Sequence, residues 1–435
     1  KSEFYLFNFT LYLSVFLCLG IVFSCTKETN TNQTNTNYKY LVYDSLITSV
    51  PLAQVQVINT LISLNLGSQP ALSNLNNIFK NTAIKNTNSG FKVFNIQYRT
   101  TLPDSTPIVA SGVFILPDTN LIPVKLAVYN HSTLSSLADA PSNYANFNLA
   151  SGIGIEVTLM AQVVAPSGYA IACPDYIGYG LTTSLVETYA QSHLGKISAD
   201  MLLAFKEFLS KRNYKTSSDS VSIYGYSEGG MASMATHQQL ELRNQQPVRF
   251  SFCGSGPYST KILFDTVLKQ TQVAKRSLSF GAKYIYCLDK YYSIPNKPLN
   301  YFINNSYVSL YKNLPLISWI NADTSTLPNS PQVFFTSSYI NNYFEKNPII
   351  SGFLKGLEIN SIYNWKPKAP ITLFQGSADN LVYPIIADSA YKTILNNGGN
   401  IQPLDPANNI NYLYPGVDHT SGFYIYLGYL WNKIF

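Results

Sequence analysis

Residues 221–230, VSIYGYSEGG, decide the fold, because they join a short apolar strand directly to the helix-prone segment 231–242, MASMATHQQLEL. In a G-x-S-x-G turn the serine adopts strained backbone, and the flanking glycines let neighbouring chain approach without a Cβ clash. The turn projects the serine hydroxyl above the sheet, and the N-terminus of the next helix stabilises negative charge that develops there. The pattern predicts that Ser227 is a nucleophile, with a plain glycine-rich turn as the alternative.

Strand-like and helix-like segments alternate on both sides of this turn. Residues 197–211 have apolar side chains on one helical face, whereas residues 40–90 are predicted to be helical or irregular. The predicted strands are residues 91–98, 109–116, 124–129, 169–173, 221–224, 248–253, 371–374 and 410–414. Strands that alternate with helices predict an α/β fold with a mainly parallel central sheet.

The segment 257–368 interrupts this alternation. It is rich in Tyr, Asn, Phe and Leu and contains helix-length stretches at 277–289 and 332–344. A long insertion in a compact protein is rarely one structureless loop. We therefore predict a mostly helical cap over the active edge of the sheet, with residues 39–256 and 369–435 as the core. The aromatic residues of the cap either line an acyl pocket or form its own hydrophobic core.

A serine nucleophile needs a base, and the chain has four histidines. When the nucleophile lies on a strand–turn–helix, the acid and then the histidine follow it in the chain, which excludes His131 and His193. His237 lies on the predicted helix, about 15 Å along the axis from Ser227, and is predicted to be a surface or packing residue. His419 follows the last apolar run on a glycine-flanked loop, and we predict that it is the base.

The acid that orients this histidine is predicted to be Asp379. It directly follows the apolar run 371–374 and a glycine turn, whereas Asp388 falls inside a predicted helix and Asp405 lies between prolines. Asp418 is the immediate neighbour of His419. Side chains of adjacent residues readily point in different directions, so Asp418 is less suited to hold the His419 ring. Capping of a structural turn is the alternative role for Asp379.

Ser227 in GYSEGG, Asp379 in GSADNLVYP and His419 in GVDHTSG together resemble the catalytic triad of α/β hydrolases. Within that superfamily, CPDYIGYG (173–180), YNHST (129–133) and the insertion before the acid's strand resemble esterases and lipases of the secretory-lipase type. The resemblance covers roughly residues 90–435. It implies the α/β-hydrolase fold, with a mainly parallel sheet flanked by helices and a helical cap inserted before the strand that carries the acid.

The resemblance also implies an activity. We expect a serine carboxylic-ester hydrolase that forms an acyl-enzyme on short- to medium-chain or lipid-like esters, with aromatic or polymeric esters as further candidates. A serine peptidase of the same fold, aminopeptidase-like in its action, is the alternative enzyme, because a triad alone does not separate esters from amides. A non-catalytic binding protein of the hydrolase fold is the alternative from another class.

Such hydrolases bind the developing oxyanion with the backbone N–H of the residue after the nucleophile, here Glu228, and with a second N–H from the 130–133 loop. Thr133 is the first choice for this second donor and Ser132 is the second. Asp175 is expected to hold loop structure rather than to react. No metal or organic cofactor is implied, since the sequence has no His/Cys cluster with metal-ligand spacing.

Composition limits the remaining possibilities. The chain has 435 residues, of which 46% are hydrophobic and 12% charged, so it can bury a sizeable core. The net charge of +6 is spread thinly without a basic cluster, which argues against a nucleic-acid partner. Cys173 and Cys253 lie in apolar runs and are predicted to be buried and free, with one disulfide among Cys173, Cys253 and Cys287 as the alternative.

The first 38 residues predict export. Residues 1–25 contain a long apolar run that ends in VFSC and resemble a bacterial lipoprotein signal, in which Cys25 would be lipidated. The alternative is an uncleaved N-terminal membrane anchor. Residues 26–38 are Thr/Asn-rich and predict a flexible tether. We expect a protein that is secreted or lipid-anchored at a bacterial outer membrane or cell surface, with membrane contact only through this segment.

Overall fold

The computed structural model describes residues 38–69, 72–147, 154–188, 190–292, 297–312, 319 and 324–435. The predicted signal segment 1–25, and all of the predicted tether except Tyr38, lie outside these residues. Within the described part of the chain, every helix is too short or too polar to cross a bilayer.

The described strands form one mixed sheet. They are β1 (Leu41–Val50), β2 (Phe91–Thr101), β3 (Pro107–Pro117), β4 (Val124–Asn130), β5 (Tyr169–Pro174), β6 (Thr216–Tyr226), β7 (Val248–Gly254), β8 (Ile371–Gly376), β9 (Ile401–Gln402) and β10 (Leu413–Tyr414). Their order is β1-β2-β3-β5-β4-β6-β7-β8-β10, and β9 also pairs with β8. The pairs from β1 to β5 are antiparallel, and all pairs from β5 through β4 to β10 are parallel. The predicted α/β fold with a mainly parallel sheet is confirmed.

Helices follow β1 and β10, connect the parallel strands and fill the segment between β7 and β8. They are α1 (Leu52–Gly67), α2 (Ser73–Phe79), α3 (Ile155–Leu159), α4 (Gln191–Lys211), α5 (Glu228–Arg243), α6 (Thr260–Lys269), α7 (Lys275–Tyr292), α8 (Leu299–Phe302), α9 (Asn305–Lys312), α10 (Pro331–Phe334), α11 (Ser337–Phe344), α12 (Ser351–Ile359), α13 (Pro384–Asn396) and α14 (His419–Ile434). Helices α2 and α3 continue as π-helical turns, Lys80–Ile84 and Met160–Val164.

Hydrophobic clusters cover both faces of the sheet. Along β3, Val113 and Ile115 face a cluster that contains Trp431 of α14, whereas Phe114 and Leu116 face a cluster with α4. This alternation follows from the two-residue period of a strand, and coverage on both faces explains the continuous apolar runs of the central strands. Cys173, Cys253 and Cys287 are buried free thiols, which confirms the prediction made for the first two.

The segment predicted as a cap, residues 257–368, lies between β7 and β8 in the chain, and α6 to α12 fall within it. Its buried side chains form a hydrophobic cluster of their own, which includes Phe302, Tyr339 and Phe353. Ser259 and Ser361 pair as an isolated antiparallel bridge near the two ends of the segment. The chain therefore enters and leaves these helices at neighbouring points.

Two local predictions are wrong. Residues 41–50, predicted to be helical or irregular, form β1, an edge strand whose side chains are mostly half-buried and give no continuous apolar run. Tertiary contacts hold it in place, since Asp44 forms ion pairs with Lys211 and Arg212 at N···O distances of 2.5 Å. The predicted helix 332–344 is two helices, because Phe335 is extended and bridges to Ile303 before α11 begins.

Candidate active site

Ser227 occupies a strained turn between β6 and α5. Strand β6 ends at Tyr226, α5 begins at Glu228, and Ser227 has φ 57° and ψ −123°. A side chain in this left-handed region costs about 1–3 kcal/mol, which surrounding contacts must offset. One such contact is the Ser227 N–H, which donates to the Gly254 carbonyl oxygen at 2.8 Å. The backbone predicted for a nucleophile turn is therefore present.

The glycines on either side of Ser227 are required by close approach of backbone. A Cβ atom at Gly225 would lie 2.3 Å from the carbonyl oxygen of Gly229. One at Gly229 would lie 2.0 Å from the carbonyl oxygen of Asn130. The loop that begins at Asn130 thus packs directly against the turn that carries Ser227.

The structure brings together the three side chains predicted to form a triad. His419 is the first residue of α14, and its Nε2 lies 2.9 Å from Ser227 Oγ. Its Nδ1 lies 2.7 Å from Asp379 Oδ2. An N–H at Nδ1 that donates to the carboxylate leaves the Nε2 lone pair facing the serine hydroxyl, as proton abstraction requires. Their catalytic roles remain predictions.

Three further hydrogen bonds hold the buried carboxylate of Asp379. Its Oδ1 accepts the N–H groups of Leu381 at 3.0 Å and Val382 at 2.8 Å. Gln375 Nε2 lies 3.1 Å from Asp379 Oδ2 and 3.0 Å from the Val382 carbonyl oxygen. Sequence reasoning missed Gln375, although an amide inside the apolar run ITLFQG, four residues before Asp379, was a usable signal.

Tyr226 contacts His419 through both its hydroxyl and its ring. Its hydroxyl donates to the His419 carbonyl oxygen at 2.7 Å, and the two rings lie 5.3 Å apart between centroids. The ring of Tyr226 also packs against Phe374 and Tyr426, which are part of the core. Tyr226, which directly precedes Ser227, therefore joins the first turn of α14 to the core.

His237 and His193 form hydrogen bonds with other residues and none with Ser227. His237 is fully buried in α5 between Ser251 and Glu241, so it is a packing residue and not a surface residue. His193 Nε2 lies 2.7 Å from the Thr101 carbonyl oxygen, and burial lowers the pKa of His193 to about 4.

The other candidate acids also have structural partners. Asp388 binds Lys392 and Tyr412, Asp405 binds Asn408, and Asp418 caps α14 by accepting the Ser421 N–H. Asp175 is buried and accepts hydrogen bonds from Ser111 Oγ at 2.6 Å and the Ser142 N–H at 2.8 Å, as expected for a residue that holds a loop.

The two candidate oxyanion donors of the 130–133 loop differ in their surroundings. Thr133 lines the same pocket as Ser227 and Glu228, whose N–H is the first of α5 and has no intrahelical acceptor. The Ser132 N–H instead donates to Glu156 Oε2 at 3.1 Å. Because the Ser132 N–H already has an acceptor, the geometry favours Thr133 as the second donor, and both assignments stay predictions.

A pocket with about 700 Å³ of empty space opens from Ser227 toward the cap. Its core side includes Thr133, Ser227, Glu228 and Met231, and its cap side is largely apolar, with Leu263, Phe264, Val267, Phe280, Tyr284 and Phe335. Three of these aromatic residues, Phe264, Tyr284 and Phe335, also belong to the hydrophobic cluster of segment 257–368, and Phe280 packs against it.

A buried carboxyl, that of Glu228, lies beside Ser227. Burial raises the pKa of the Glu228 side chain to about 8. The charge of Lys283 opposes this rise, that of Glu187 adds to it, and hydrogen bonding by the Thr133 side chain opposes it. The carboxyl group of Glu228 therefore retains its proton at neutral pH.

The chain is similar to known proteins in structure. The chain matches no protein-family model, and no characterised protein matches it in sequence. A crystal structure from Legionella pneumophila aligns with a TM-score of 0.71 and 21% identity, over 91% of this chain and 98% of that one.

Two further structures have named activities. The rice cell wall degrading esterase LipA from Xanthomonas oryzae aligns with a TM-score of 0.67 and 19% identity, over 91% of this chain and 96% of its own. Candida antarctica lipase A aligns with a TM-score of 0.57 and 18% identity, over 76% and 73% of the two chains. The structural similarity establishes the fold, whereas sequence identities this low do not establish the activity. The chain has the α/β-hydrolase fold.

Proposed function

We propose that this protein is a serine hydrolase of carboxylic esters, in which Ser227 is the nucleophile, His419 the general base and Asp379 the group that orients His419. The observation that carries the proposal is the continuous hydrogen-bonded chain from Asp379 Oδ2 through both ring nitrogens of His419 to Ser227 Oγ. The strained backbone of Ser227 supports it, because strain of this kind is concentrated at functional sites.

The reaction follows from these positions. Ser227 Oγ attacks the ester carbonyl carbon while its proton passes to His419 Nε2, and the N–H groups of Glu228 and Thr133 stabilise the resulting oxyanion. The intermediate collapses, and His419 delivers the proton to the departing alcohol. Water then attacks the acyl-enzyme, His419 takes its proton, and collapse returns that proton to Ser227 and releases the carboxylic acid.

The apolar lining of the pocket favours substrates with short- to medium-chain or lipid-like acyl groups. Apolar side chains of the cap, such as Phe264 and Phe280, face the space next to Ser227. Burial of an acyl chain against them contributes about 0.8 kcal/mol for each methylene removed from water. The named activities of the structural neighbours, an esterase and a lipase, agree with ester hydrolysis.

The test compares hydrolysis of p-nitrophenyl acetate, butyrate, octanoate and palmitate by the wild-type protein and Ser227→Ala. Loss of a serine nucleophile lowers kcat by about 10⁴- to 10⁶-fold. Ser218→Ala, at an exposed position of the same strand, is the matched control and should retain wild-type rates. Ester turnover that survives in Ser227→Ala would overturn the proposal, and turnover of aminoacyl anilides in place of esters would indicate a peptidase.

We also propose that the enzyme is exported and lipid-anchored through Cys25. The support is the apolar run that ends in VFSC, followed by the Thr/Asn-rich stretch. Metabolic labelling with an alkyne fatty acid in a bacterial host should modify the full chain and not Cys25→Ala. Equal labelling of both proteins would contradict this proposal.

A further inference from the structure

Every polar group of Ser132 has a partner. Its N–H donates to Glu156 Oε2 at 3.1 Å, and its hydroxyl donates to the Tyr226 carbonyl oxygen at 3.0 Å. Its carbonyl oxygen lies 2.7 Å from His131 Nδ1, which donates to it. Burial lowers the pKa of His131 to about 4, so the neutral ring carries one proton. Its Nε2 also lies 3.2 Å from the Asp175 carbonyl oxygen, and the shorter contact at Nδ1 assigns the proton to Nδ1.

These contacts determine where the next N–H points. The carbonyl of Ser132 and the N–H of Thr133 belong to one planar trans peptide unit, so the two groups point in opposite directions. Because His131 holds the carbonyl on one side, the N–H of Thr133 is directed to the other side. Thr133 lines the pocket that contains Ser227.

Glu156 anchors the same loop from α3. Its Oε2 accepts the Tyr129 hydroxyl at 2.6 Å as well as the Ser132 N–H. Tyr129 is in β4, the strand that leads into the loop. The carboxyl therefore joins the strand, the loop and α3 at one atom.

The hydroxyl of Ser132 makes a different connection. Tyr226, whose carbonyl oxygen it binds, is the residue immediately before Ser227. This bond ties the loop that supplies one oxyanion donor to the turn that supplies the nucleophile. We propose that Ser132 is a positioning residue, which sets the distance and orientation of the Thr133 N–H relative to Ser227 Oγ. This inference rests on the proposed function, because it concerns the oxyanion site of that reaction.

Removal of the Ser132 hydroxyl alone tests the hydrogen bond between Ser132 and Tyr226. Ser132→Ala keeps the backbone N–H and carbonyl, so its bonds to Glu156 and His131 remain possible while the bond to Tyr226 is lost. A displacement of about 1 Å at a reacting centre lowers the rate by about 100-fold. We expect kcat to fall by about 10- to 100-fold with KM nearly unchanged, because the oxyanion forms only in the transition state.

The experiment compares the wild-type protein with Ser132→Ala, Ser132→Thr and Ser135→Ala. Ser135 is an exposed residue of the adjoining chain whose hydroxyl binds Asp139, and its replacement should leave the rates unchanged. For each protein we would measure kcat and KM on p-nitrophenyl butyrate, the rate at which a fluorophosphonate labels Ser227, and the melting temperature. Ser132→Ala should lower kcat and the labelling rate together, and Ser132→Thr, which restores a hydroxyl, should recover most of the loss.

The outcomes separate this inference from the proposed function. Wild-type kcat and labelling rate in Ser132→Ala would overturn the positioning role and leave Ser227 as the nucleophile. A wild-type protein that neither hydrolyses esters nor reacts with the fluorophosphonate would overturn both. If Ser132→Ala fails to fold, Glu156→Gln and Glu156→Leu replace it: the glutamine keeps an acceptor for the Ser132 N–H, and kcat should fall only with leucine. Equal kcat in these two variants would contradict the inference.

Discussion

Lys283 of α7 and Glu187, which precedes α4, form a buried ion pair with an N···O distance of 2.5 Å. The two side chains are 0% and 5% exposed. Lys283 belongs to the helical segment between β7 and β8, whereas Glu187 belongs to the segment predicted as the core. Removal of one partner from such a pair is far more costly than the net value of the intact pair, because it leaves a buried charge without compensation.

Lys283→Met should therefore destabilise the protein strongly. We expect the free energy of unfolding to fall by about 3–5 kcal/mol, and the double variant with Glu187→Gln to recover part of this loss. Urea denaturation measures both. Lys261→Met removes the partly exposed pair with Asp265 on α6 and should cost about 1 kcal/mol or less. Similar losses in Lys283→Met and Lys261→Met would show that the buried pair has no special importance.

The strained backbone of Ser227 gives a prediction about stability. Ser227→Ala and Ser227→Gly both remove the hydroxyl, but only glycine adopts a φ of 57° without steric cost. We expect Ser227→Gly to be about 1 kcal/mol more stable than Ser227→Ala, after allowance for the greater freedom of glycine in the unfolded chain. Thermal unfolding of the two variants compares them directly, and a more stable alanine variant would contradict strain at this position.

The pKa of Glu228 gives a prediction about pH. In the folded protein burial raises this pKa from its ordinary value of 4.5 to about 8, so between these values folding requires a proton that the unfolded chain has already released. The contribution of Glu228 to the free energy of unfolding therefore falls as pH rises from 4.5 to 8. Glu228→Gln should gain stability relative to wild type across this range.

Denaturation at pH 5, 6, 7 and 8 would measure this difference. Glu345→Gln, on the exposed surface, is the matched control and should keep the wild-type dependence on pH. Parallel curves for wild type and Glu228→Gln would mean that Glu228 takes up no proton on folding. The comparison concerns stability alone, so its outcome does not depend on the proposed function.

Gln375 should influence catalysis through Asp379. Gln375→Leu removes the amide that donates to Asp379 Oδ2 and to the Val382 carbonyl oxygen, so the carboxylate loses one of the groups that fix its orientation. We expect kcat for ester hydrolysis to fall by about 10-fold with KM nearly unchanged, as is typical when an outer partner of a reacting group is lost. Gln402→Leu on β9 is the exposed control. A rise in KM without a fall in kcat would argue against a role in orienting the triad.

The sequence was sufficient to predict which three side chains meet at Ser227, because each is tied to a local pattern. Ser227 lies between an apolar strand and a helix, Asp379 follows a strand, and His419 follows the last apolar run. These patterns are read within about ten residues of chain. The same is true of the central strands, whose burial on both faces leaves continuous apolar runs.

Other features depend on contacts between distant parts of the chain. Strand β1 is an edge strand with mostly half-buried side chains, so it lacks the continuous apolar run of the central strands, although its Val, Tyr, Ile and Thr residues favour a strand. The partners of Ser132, Glu156 and Tyr226, lie 24 and 94 residues away, and the pairing of Lys283 with Glu187 leaves no periodic signal. The preference for Thr133 over Ser132 required the direction of a single N–H, which composition and spacing do not determine.

The insertion between β7 and β8 has a consequence for how such an enzyme could diversify. The two strands are neighbours in the sheet, and the bridge between Ser259 and Ser361 brings the ends of the insertion together. Ser227 precedes the insertion, and Asp379 and His419 follow it. One continuous stretch of the chain thus supplies most of the pocket's apolar wall, so its exchange would alter the pocket while Ser227, Asp379 and His419 keep their places.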